Sequence, residues 1–338
     1  MSRSGATGSG AVGPGRETRI AFIGAGDVSV LHGQAVARCP GAQLAGLWNR
    51  TASRGQERAA QLGCRLYDSA EALVGDPEVD AIFVLTNLET HLEYARLALE
   101  AGKHVLVEKP IGVTVDEIRA MARLAAERNL VCLPGHNYIY EEGLGRSRDL
   151  IQRGELGRLV ALYVLYNIHH PEEVAARYPG VIRQILTHHA YIMLYLGGPA
   201  ASLTATKATL HYDRIPQEDI AMVNLRLASG ALAHLCASFA ADDHSADPWT
   251  VMVKAIGTAG STSYSYRSWV ELKPGLVHSQ TYSAYQGSID NEVRHFVEAC
   301  VGRGEPPLST LDDAIAAQRI VEAAERSADD ERVVQLES

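Results

Sequence analysis

The chain has 338 residues, a formal net charge of −9, 46% hydrophobic residues and 21% charged residues. This length predicts about two domains, and the composition is typical of a globular protein. The acidic balance offers no basic field to a nucleic acid, and no apolar run approaches the roughly 20 residues of a membrane span. We therefore expect neither nucleic acid nor a membrane as a partner.

The N-terminus has no signal-peptide pattern, and the five cysteines have no spacing suited to zinc. These features predict a cytoplasmic protein without a metal site. Residues 1–17 are rich in glycine and nearly free of large apolar side chains, so we expect a disordered tail.

From Thr18 onwards, short apolar runs alternate with helical patterns. The predicted strands cover 19–23, 42–48, 81–85 and 104–107, and the predicted helices include 53–62 and 90–101. Alternation of this kind is typical of βαβ units. It predicts an α/β domain over residues 18–135 with a doubly wound parallel sheet.

After residues 154–157 the alternation stops and strand-like segments follow one another. They cover 159–168, 201–212, 220–227, 231–239 and 251–256. This pattern predicts an α+β domain over 136–338 with a large open, mostly antiparallel sheet. Helical patterns at 288–301 and 311–327 are expected to pack back on the first domain, and the open sheet face predicts a homodimer or homotetramer.

The segment Gly24–Ala25–Gly26 lies between the first predicted strand and a helix. In that context glycines let a dinucleotide pyrophosphate approach the backbone and the helix N-terminus, as in a Rossmann domain. We expect Gly24, Gly26, Asp27 and Val28 to contact the cofactor. Ser29 stands at the third glycine position of the usual motif, where a small side chain still allows close packing.

The second predicted strand ends in Asn49–Arg50–Thr51, where an Asp or Glu would normally bind the ribose hydroxyls. A neutral Asn49 followed by Arg50 and Arg54 suits the 2′-phosphate of NADP, because guanidinium groups offer charge-assisted donors. NADP is favoured over NAD on this ground. The alternative is that Arg50 lies over the adenine and the enzyme takes either cofactor.

Glu108–Lys109–Pro110 follows a predicted strand, at the carboxyl edge of the sheet where ligands bind. A residue before proline is held extended, which would direct the Lys109 ammonium into the cleft. The whole stretch 98–110 resembles a landmark of the Gfo/Idh/MocA family of nicotinamide-dependent oxidoreductases.

Several further segments resemble that family over almost the whole chain. They are His32, Thr86–Asn87 with His91, residues 256–261 and residues 309–314. The resemblance implies a Rossmann domain followed by an open-faced domain that binds substrate and oligomerises. It also implies cofactor contacts at Thr86, Asn87, His91, Glu108 and Lys109.

The family's third landmark is D-x-x-x-H-x-x-D within a helix, and the chain departs from it. Alignment of residues 195–199 with the family's helix end puts His188 at the catalytic histidine, with Gln184 and Tyr191 at the two Asp positions. Residues at i, i+4 and i+7 share a helix face, so all three are expected to face the substrate. A shift of one residue would exchange His188 for His189.

The resemblance implies an oxidoreductase that interconverts a secondary alcohol and a ketone on a sugar, nucleotide-sugar, cyclitol or aminocyclitol. Lys109 and His188 are the expected catalytic residues, because each can exchange a proton with a hydroxyl group. Asn137 and Tyr138, at the predicted domain junction, are expected substrate contacts unless they serve packing there. Two alternatives remain: an enzyme that retains its cofactor and oxidises transiently, as a glycosidase or epimerase, and a non-catalytic dinucleotide sensor.

Overall fold

The computed structural model describes residues 16–239, 249–265 and 279–336. The predicted tail, residues 1–17, lies almost wholly outside this range. The described chain forms two compact units. The first contains residues 16–135 and Ile289–Leu311, and the second contains the described residues of His136–Ser288 together with residues 312–336.

The first unit contains a six-stranded sheet in which every neighbouring pair is parallel, in the order β3-β2-β1-β4-β5-β6. Its strands are β1 (Thr18–Ile23), β2 (Ala42–Trp48), β3 (Arg65–Leu66), β4 (Ala81–Val84), β5 (His104–Glu108) and β6 (Cys132–Gly135). The order reverses beside β1, which is where doubly wound sheets bind ligands. The predicted doubly wound parallel sheet is confirmed.

Helices connect these strands. They are α1 (Val28–Arg38), α2 (Ala52–Leu62), α3 (Ala70–Val74), α4 (His91–Glu100) and α5 (Val115–Arg128), with a 3₁₀ turn at Leu88–Thr90. All residues of β4 and β5 are buried, as expected for parallel strands covered on both faces. Thr114 caps α5 by accepting a hydrogen bond from the Glu117 N–H.

The second unit contains a seven-stranded sheet in the order β12-β11-β7-β10-β9-β8-β13. Its strands are β7 (Leu159–Ile168), β8 (Ala200–Ala208), β9 (Ile220–Leu227), β10 (Leu232–Ser238), β11 (Trp249–Gly257), β12 (Ser261–Ser265) and β13 (Val334–Gln335). Among the described strand pairs of this second sheet, only β7 and β10 run parallel, so the predicted mostly antiparallel sheet is confirmed.

The helices of the second half of the chain are α6 to α11, with a 3₁₀ turn at Asn137–Tyr140 and a π-helix at His295–Gly302. They are α6 (Glu142–Gln152), α7 (Glu172–Ala175), α8 (Val181–Gln184), α9 (Leu186–Gly197), α10 (Ser279–Arg294) and α11 (Leu311–Asp330). Helix α9 packs on β7 and β10. No helix in the described part of the chain is both long and apolar enough to cross a bilayer.

The sheet of the second unit has one buried and one exposed face. Burial alternates along β9, as expected for a strand covered on one side only. The uncovered face exposes Tyr163, Met222 and Leu232, of which Leu232 is 53% exposed.

Two sequence-based boundaries were wrong. The predicted strand 201–212 ends at Ala208, because the Asp219 carboxylate accepts the N–H groups of residues 210–212 and turns the chain there. The predicted continuous helix through Gln184 and Tyr191 is broken at Ile185 (φ −114°, ψ −38°), whose side chain is buried. Gln184 therefore ends α8, whereas His188 and Tyr191 belong to α9, and the three do not share one helix face.

Candidate cofactor and catalytic sites

The glycine loop after β1 allows other groups to approach its backbone closely. Gly24 has φ +117°, and a Cβ there would overlap the backbone carbonyl of Leu85. A Cβ on Gly26 would meet nothing within 4 Å, so the backbone there is open to a ligand. Ser29 is fully buried, and its hydroxyl donates a hydrogen bond to the Gly26 carbonyl, which closes the first turn of α1 on the loop.

A cavity of about 270 Å³ lies beside this loop, at the carboxyl ends of β1, β2 and β4. The predicted cofactor residues Gly24, Gly26, Asn49, Arg50, Arg54, Thr86 and Asn87 all line it. The remaining lining residues, which were not predicted from the sequence, are Ala25, Trp48, Thr51, Leu85, Glu89, Thr90 and Tyr94. Its position at the strand-order reversal fits a dinucleotide.

Trp48 and Tyr94 form an aromatic pair in the wall of this cavity. Their rings meet edge to face with centroids 5.7 Å apart. Trp48 is the last residue of β2, and that position was the only sequence signal for its role. Tyr94 comes from α4, which tertiary packing brings to the same wall.

Asn49, Arg50 and Arg54, the polar residues at and just after the end of β2, have different surroundings. The Asn49 Oδ1 accepts a hydrogen bond from the Ala25 N–H (3.0 Å), and its Nδ2 donates to the Thr51 carbonyl (2.9 Å). Asn49 thus fixes the glycine loop. Arg50 and Arg54 are exposed, and neither makes an ion pair or hydrogen bond to any described residue.

Five other predicted cofactor residues do not line the cavity. Asp27 is exposed, 4.0 Å from Arg58, and Val28 begins α1. The buried His91 lies between two carbonyls, with its Nδ1 2.8 Å from the Pro110 oxygen and its Nε2 3.1 Å from the Thr86 oxygen. Burial lowers the pKa of His91. His91 therefore ties the end of β4 to the segment after Lys109.

The remaining two, Glu108 and Lys109, stand at the end of β5 beside His32. The Glu108 Oε1 lies 2.9 Å from the His32 Nε2, and its Oε2 accepts the Lys109 N–H at 2.8 Å. Burial acts to raise the pKa of Glu108, but His32 and Lys109 together bring it below its ordinary value. The carboxylate therefore stays ionised and orients the backbone that carries Lys109.

The Lys109 ammonium is available for chemistry. It is partly exposed, and no described residue accepts a hydrogen bond from it. Burial lowers the pKa of Lys109, and the Glu108 carboxylate opposes that shift. An amine whose pKa is lowered gives up its proton more readily and can act as a general acid or base. Lys103, in the same segment, instead donates to the carbonyls of Asp76 and Val79.

In the second unit, His188 belongs to a buried hydrogen-bond network. Its Nδ1 lies 2.7 Å from the Tyr191 hydroxyl. That hydroxyl lies 3.3 Å from the Asn137 Oδ1, and the Tyr285 hydroxyl donates to the same oxygen at 3.1 Å. Tyr191, which is itself hydrogen-bonded to Asn137, thus orients the His188 ring through its Nδ1.

The network orients the Asn137 amide. The Ser288 hydroxyl donates to the Tyr285 carbonyl (2.8 Å), so its oxygen accepts from the Asn137 Nδ2 (2.6 Å). This fixes the Asn137 Oδ1 toward Tyr191. The Tyr191 oxygen also accepts the Tyr138 N–H at 3.3 Å, and its own proton has two acceptors within reach, the Asn137 Oδ1 and the Nδ1 of His188.

The other predicted substrate residues differ in their surroundings. Gln184 is half-buried at the end of α8. Tyr138 is fully buried, and its ring packs on His188 with centroids 5.1 Å apart. His189 has both ring nitrogens against carbonyls, those of Ile185 and Cys236, and burial lowers its pKa to about 4. His189 is therefore a core histidine, which favours His188 as the reactive one.

Among the described residues, no cluster of three or more His, Cys, Asp or Glu side chains has the arrangement of a metal site. Lys109 belongs to the first unit, whereas His188, Tyr191 and Asn137 belong to the second.

Comparison with known protein families gives matches in both halves of the chain. Residues 18–136 match a family described as an oxidoreductase family with an NAD-binding Rossmann fold. Residues 145–263 match the Gfo/Idh/MocA C-terminal domain.

Individual proteins agree with these matches. The 1,5-anhydro-D-fructose reductase of Ensifer adhaerens is 30% identical over 230 residues, which cover 65% of this chain and 69% of that protein. The UDP-N-acetylglucosamine 3-dehydrogenase of Acidithiobacillus ferrooxidans is 27% identical over 90% of this chain and 95% of its own length. The crystal structure of GenD2 from gentamicin A biosynthesis, in complex with NAD, covers 99% of this chain and 100% of its own, with a TM-score of 0.86 and 24% identity. At that identity the structural match establishes the fold.

Proposed function

We propose that this chain, which belongs to the Gfo/Idh/MocA family of oxidoreductases, interconverts a secondary alcohol and a ketone on a sugar, nucleotide-sugar, cyclitol or aminocyclitol. The chain is an NAD(P)-dependent dehydrogenase or reductase. Its relatives named after an anhydro-sugar and a nucleotide-sugar support the substrate class.

The observation that carries this proposal is the ammonium group of Lys109, which donates no hydrogen bond to any residue that the structure describes. The bound nicotinamide supplies the acceptor or donor of hydride. The protein must then remove the proton of the hydroxyl group during oxidation, or return it during reduction. Lys109 has the lowered pKa that this task needs, and Glu108 holds its backbone in place.

We propose His188 as the second catalytic residue, one that orients a hydroxyl group of the substrate. Its Nδ1 is engaged by Tyr191, so Nε2 is the ring nitrogen proposed for this contact. Asn137 and Tyr191 act through His188, since their polar groups are already engaged with each other and with neighbouring residues. Gln184 is proposed to bind other hydroxyl groups of the substrate.

NADP is the proposed cofactor, with NAD as the alternative. Asn49 is occupied by the glycine loop, so no side chain at the end of β2 offers a carboxylate to the ribose hydroxyls. Arg50 and Arg54 line the same cavity without a partner among the described residues, and paired guanidinium groups suit a phosphate.

The test is a screen of polyols and keto-sugars with purified protein, followed by the absorbance of the reduced nicotinamide. Net formation or loss of reduced cofactor on any of these substrates supports the proposal. Product formation without net absorbance change would point to a retained, cycling cofactor. Tight dinucleotide binding without any product across the panel would point to a sensor and contradict the enzymatic proposal.

We propose that a second copy of the chain covers the open sheet face of the second unit, giving a homodimer or homotetramer. Tyr163, Met222 and Leu232 lie 40%, 42% and 53% exposed on this face, and such a patch is typical of an interface. Leu232→Asp should therefore lower the mass measured by light scattering at micromolar concentration. A wild-type monomer under those conditions would contradict the interface.

A further inference from the structure

One buried carboxyl group in the first unit has no part in the chemistry described above. Glu292, near the end of α10, is 1% exposed, and neither of its oxygens has a hydrogen-bond partner among the described residues. Buried carboxyl groups are normally paired, because an isolated one costs free energy. Such a group is a candidate for a functional role.

Packing directs Glu292 toward the Glu108 cluster. Phe296 lies one helical turn further along, and its ring contacts Phe83 at a centroid distance of 5.4 Å. Phe83 in turn contacts His32 at 5.5 Å. Residues i and i+4 project from the same side of a helix, so Glu292 lies on the side that packs toward Phe83, the ring beside His32.

A second tie fixes this segment against α1. Asp290, two residues before Glu292, accepts a hydrogen bond from the Arg38 guanidinium at 2.9 Å. Arg38 is the last residue of α1, the helix that also carries His32. The position of this segment is therefore set by one polar contact to α1 and, through Phe296, one aromatic contact to β4.

The charges around Glu292 favour its neutral form. Burial raises its pKa well above the ordinary value, and the Glu108 carboxylate raises it further. The other titratable groups of this cluster are His32, beside Glu108, and His91 and Lys109, which both sense the Glu108 charge. Because the pKa of Glu108 is lowered and that of Glu292 is raised, the proton resides on Glu292 while Glu108 is ionised.

We propose that Glu292 is a positioning residue for Lys109, one that is held neutral in the cluster of the ionised Glu108 carboxylate and couples its own ionisation, through that cluster, to that of the Lys109 ammonium. While Glu292 is neutral, the cluster around Glu108 carries one carboxylate charge. Once Glu292 ionises, the cluster carries two, and Lys109 should retain its proton more strongly. This inference rests on the proposed role of Lys109, but both of its tests are independent of turnover.

The first test measures the proton on Glu292 through protein stability, by comparing wild type with Glu292→Gln from about pH 5 to about pH 8. A carboxyl whose pKa is raised on folding stabilises the native state at low pH and loses that contribution as the pH rises. The Tm of wild type should therefore fall relative to that of Glu292→Gln as the pH increases. The exposed Glu127→Gln should show no such trend.

The second test measures Lys109 directly. The chain has five lysines, so reductive methylation with a ¹³C label gives a small set of NMR signals, and Lys109→Met assigns the relevant one. In wild type the Lys109 signal should titrate at a higher pH than in Glu292→Gln, by on the order of half a unit. Superimposable curves would overturn the coupling, even where the stability test shows a bound proton.

An infrared measurement covers the case in which Glu292→Gln does not fold. Wild-type protein at neutral pH should show the C=O stretch of a protonated carboxylic acid, with the small shift in heavy water that marks an exchangeable proton. Absence of this band would overturn the proposal without any variant. Activity is not needed for any of the three readouts, so failure of the substrate screen leaves them intact.

Discussion

The two units treat their reactive groups differently. In the first unit a carboxylate lies beside Lys109: Glu108 accepts the backbone N–H of Lys109 and lies 2.9 Å from His32. In the second unit His188 is held by neutral groups, the Tyr191 phenol and, behind it, the Asn137 amide. The position where the family resemblance leads one to expect an aspartate is therefore filled by a group that keeps the hydrogen bond and lacks the charge.

This difference separates two tasks that a carboxylate usually performs together. A carboxylate beside an imidazole fixes its tautomer and also stabilises the protonated ring. Tyr191 can orient the ring through its hydrogen bond but supplies no negative charge to stabilise the protonated form, because a phenol is neutral at pH 7. We therefore expect Lys109 to carry most of the proton transfer, with His188 mainly orienting the substrate.

The largest effect is expected when the Lys109 ammonium group is removed. Lys109→Met should lower kcat by about 100- to 10,000-fold, the usual contribution of a general acid or base. Dinucleotide affinity should change little, because Lys109 does not line the cavity beside the glycine loop. Steady-state kinetics with cofactor titration by fluorescence measures both quantities.

Lys103→Met is the matched control in the same segment. Lys103 donates to the carbonyls of Asp76 and Val79 and so has a structural role. Its removal should lower the Tm while leaving kcat per folded molecule near the wild-type value. Equal kcat losses in the two variants would argue against a special role for Lys109.

The sequence predicted the first site better than the second for a physical reason. Gly24, Asn49 and Thr86 follow strands of a parallel sheet, so local patterns and one topological rule place them at one edge. Tyr94 reaches the same cavity only through the packing of α4, and its sequence surroundings give no hint of it.

The second site depends on features that carry weaker signals. The break at Ile185 contains neither glycine nor proline, so the helical pattern appeared continuous through Gln184. The partnership of Tyr191 with Asn137 joins segments that are far apart in the chain. Glu292 likewise meets its cluster only in the folded unit, where burial rather than sequence reveals it.

A smaller effect is expected from Tyr191→Phe, which removes the partner of His188 and keeps the ring. Loss of a buried hydrogen bond should lower kcat/KM by roughly 5- to 100-fold. Tyr285→Phe is the control, since it removes the other phenol hydroxyl that donates to the Asn137 Oδ1. A pH profile of kcat/KM for both variants tests the division of tasks. If Tyr191→Phe leaves both rate and profile unchanged, His188 needs no orienting group and the comparison between the units loses its basis.

The smallest effect is expected for cofactor choice, which we attribute to the Arg50 and Arg54 guanidinium groups of the first unit. Arg50→Ala should weaken NADPH binding by about 10-fold and leave NADH binding within twofold, because a charge-assisted hydrogen bond to the 2′-phosphate is lost. Glu89→Gln, in the same cavity wall, removes a negative charge and should strengthen NADPH binding slightly. Fluorescence titration of each protein with both cofactors gives the four dissociation constants. Equal weakening of NADPH and NADH in Arg50→Ala would place Arg50 over the adenine, and the enzyme would then be expected to accept either dinucleotide.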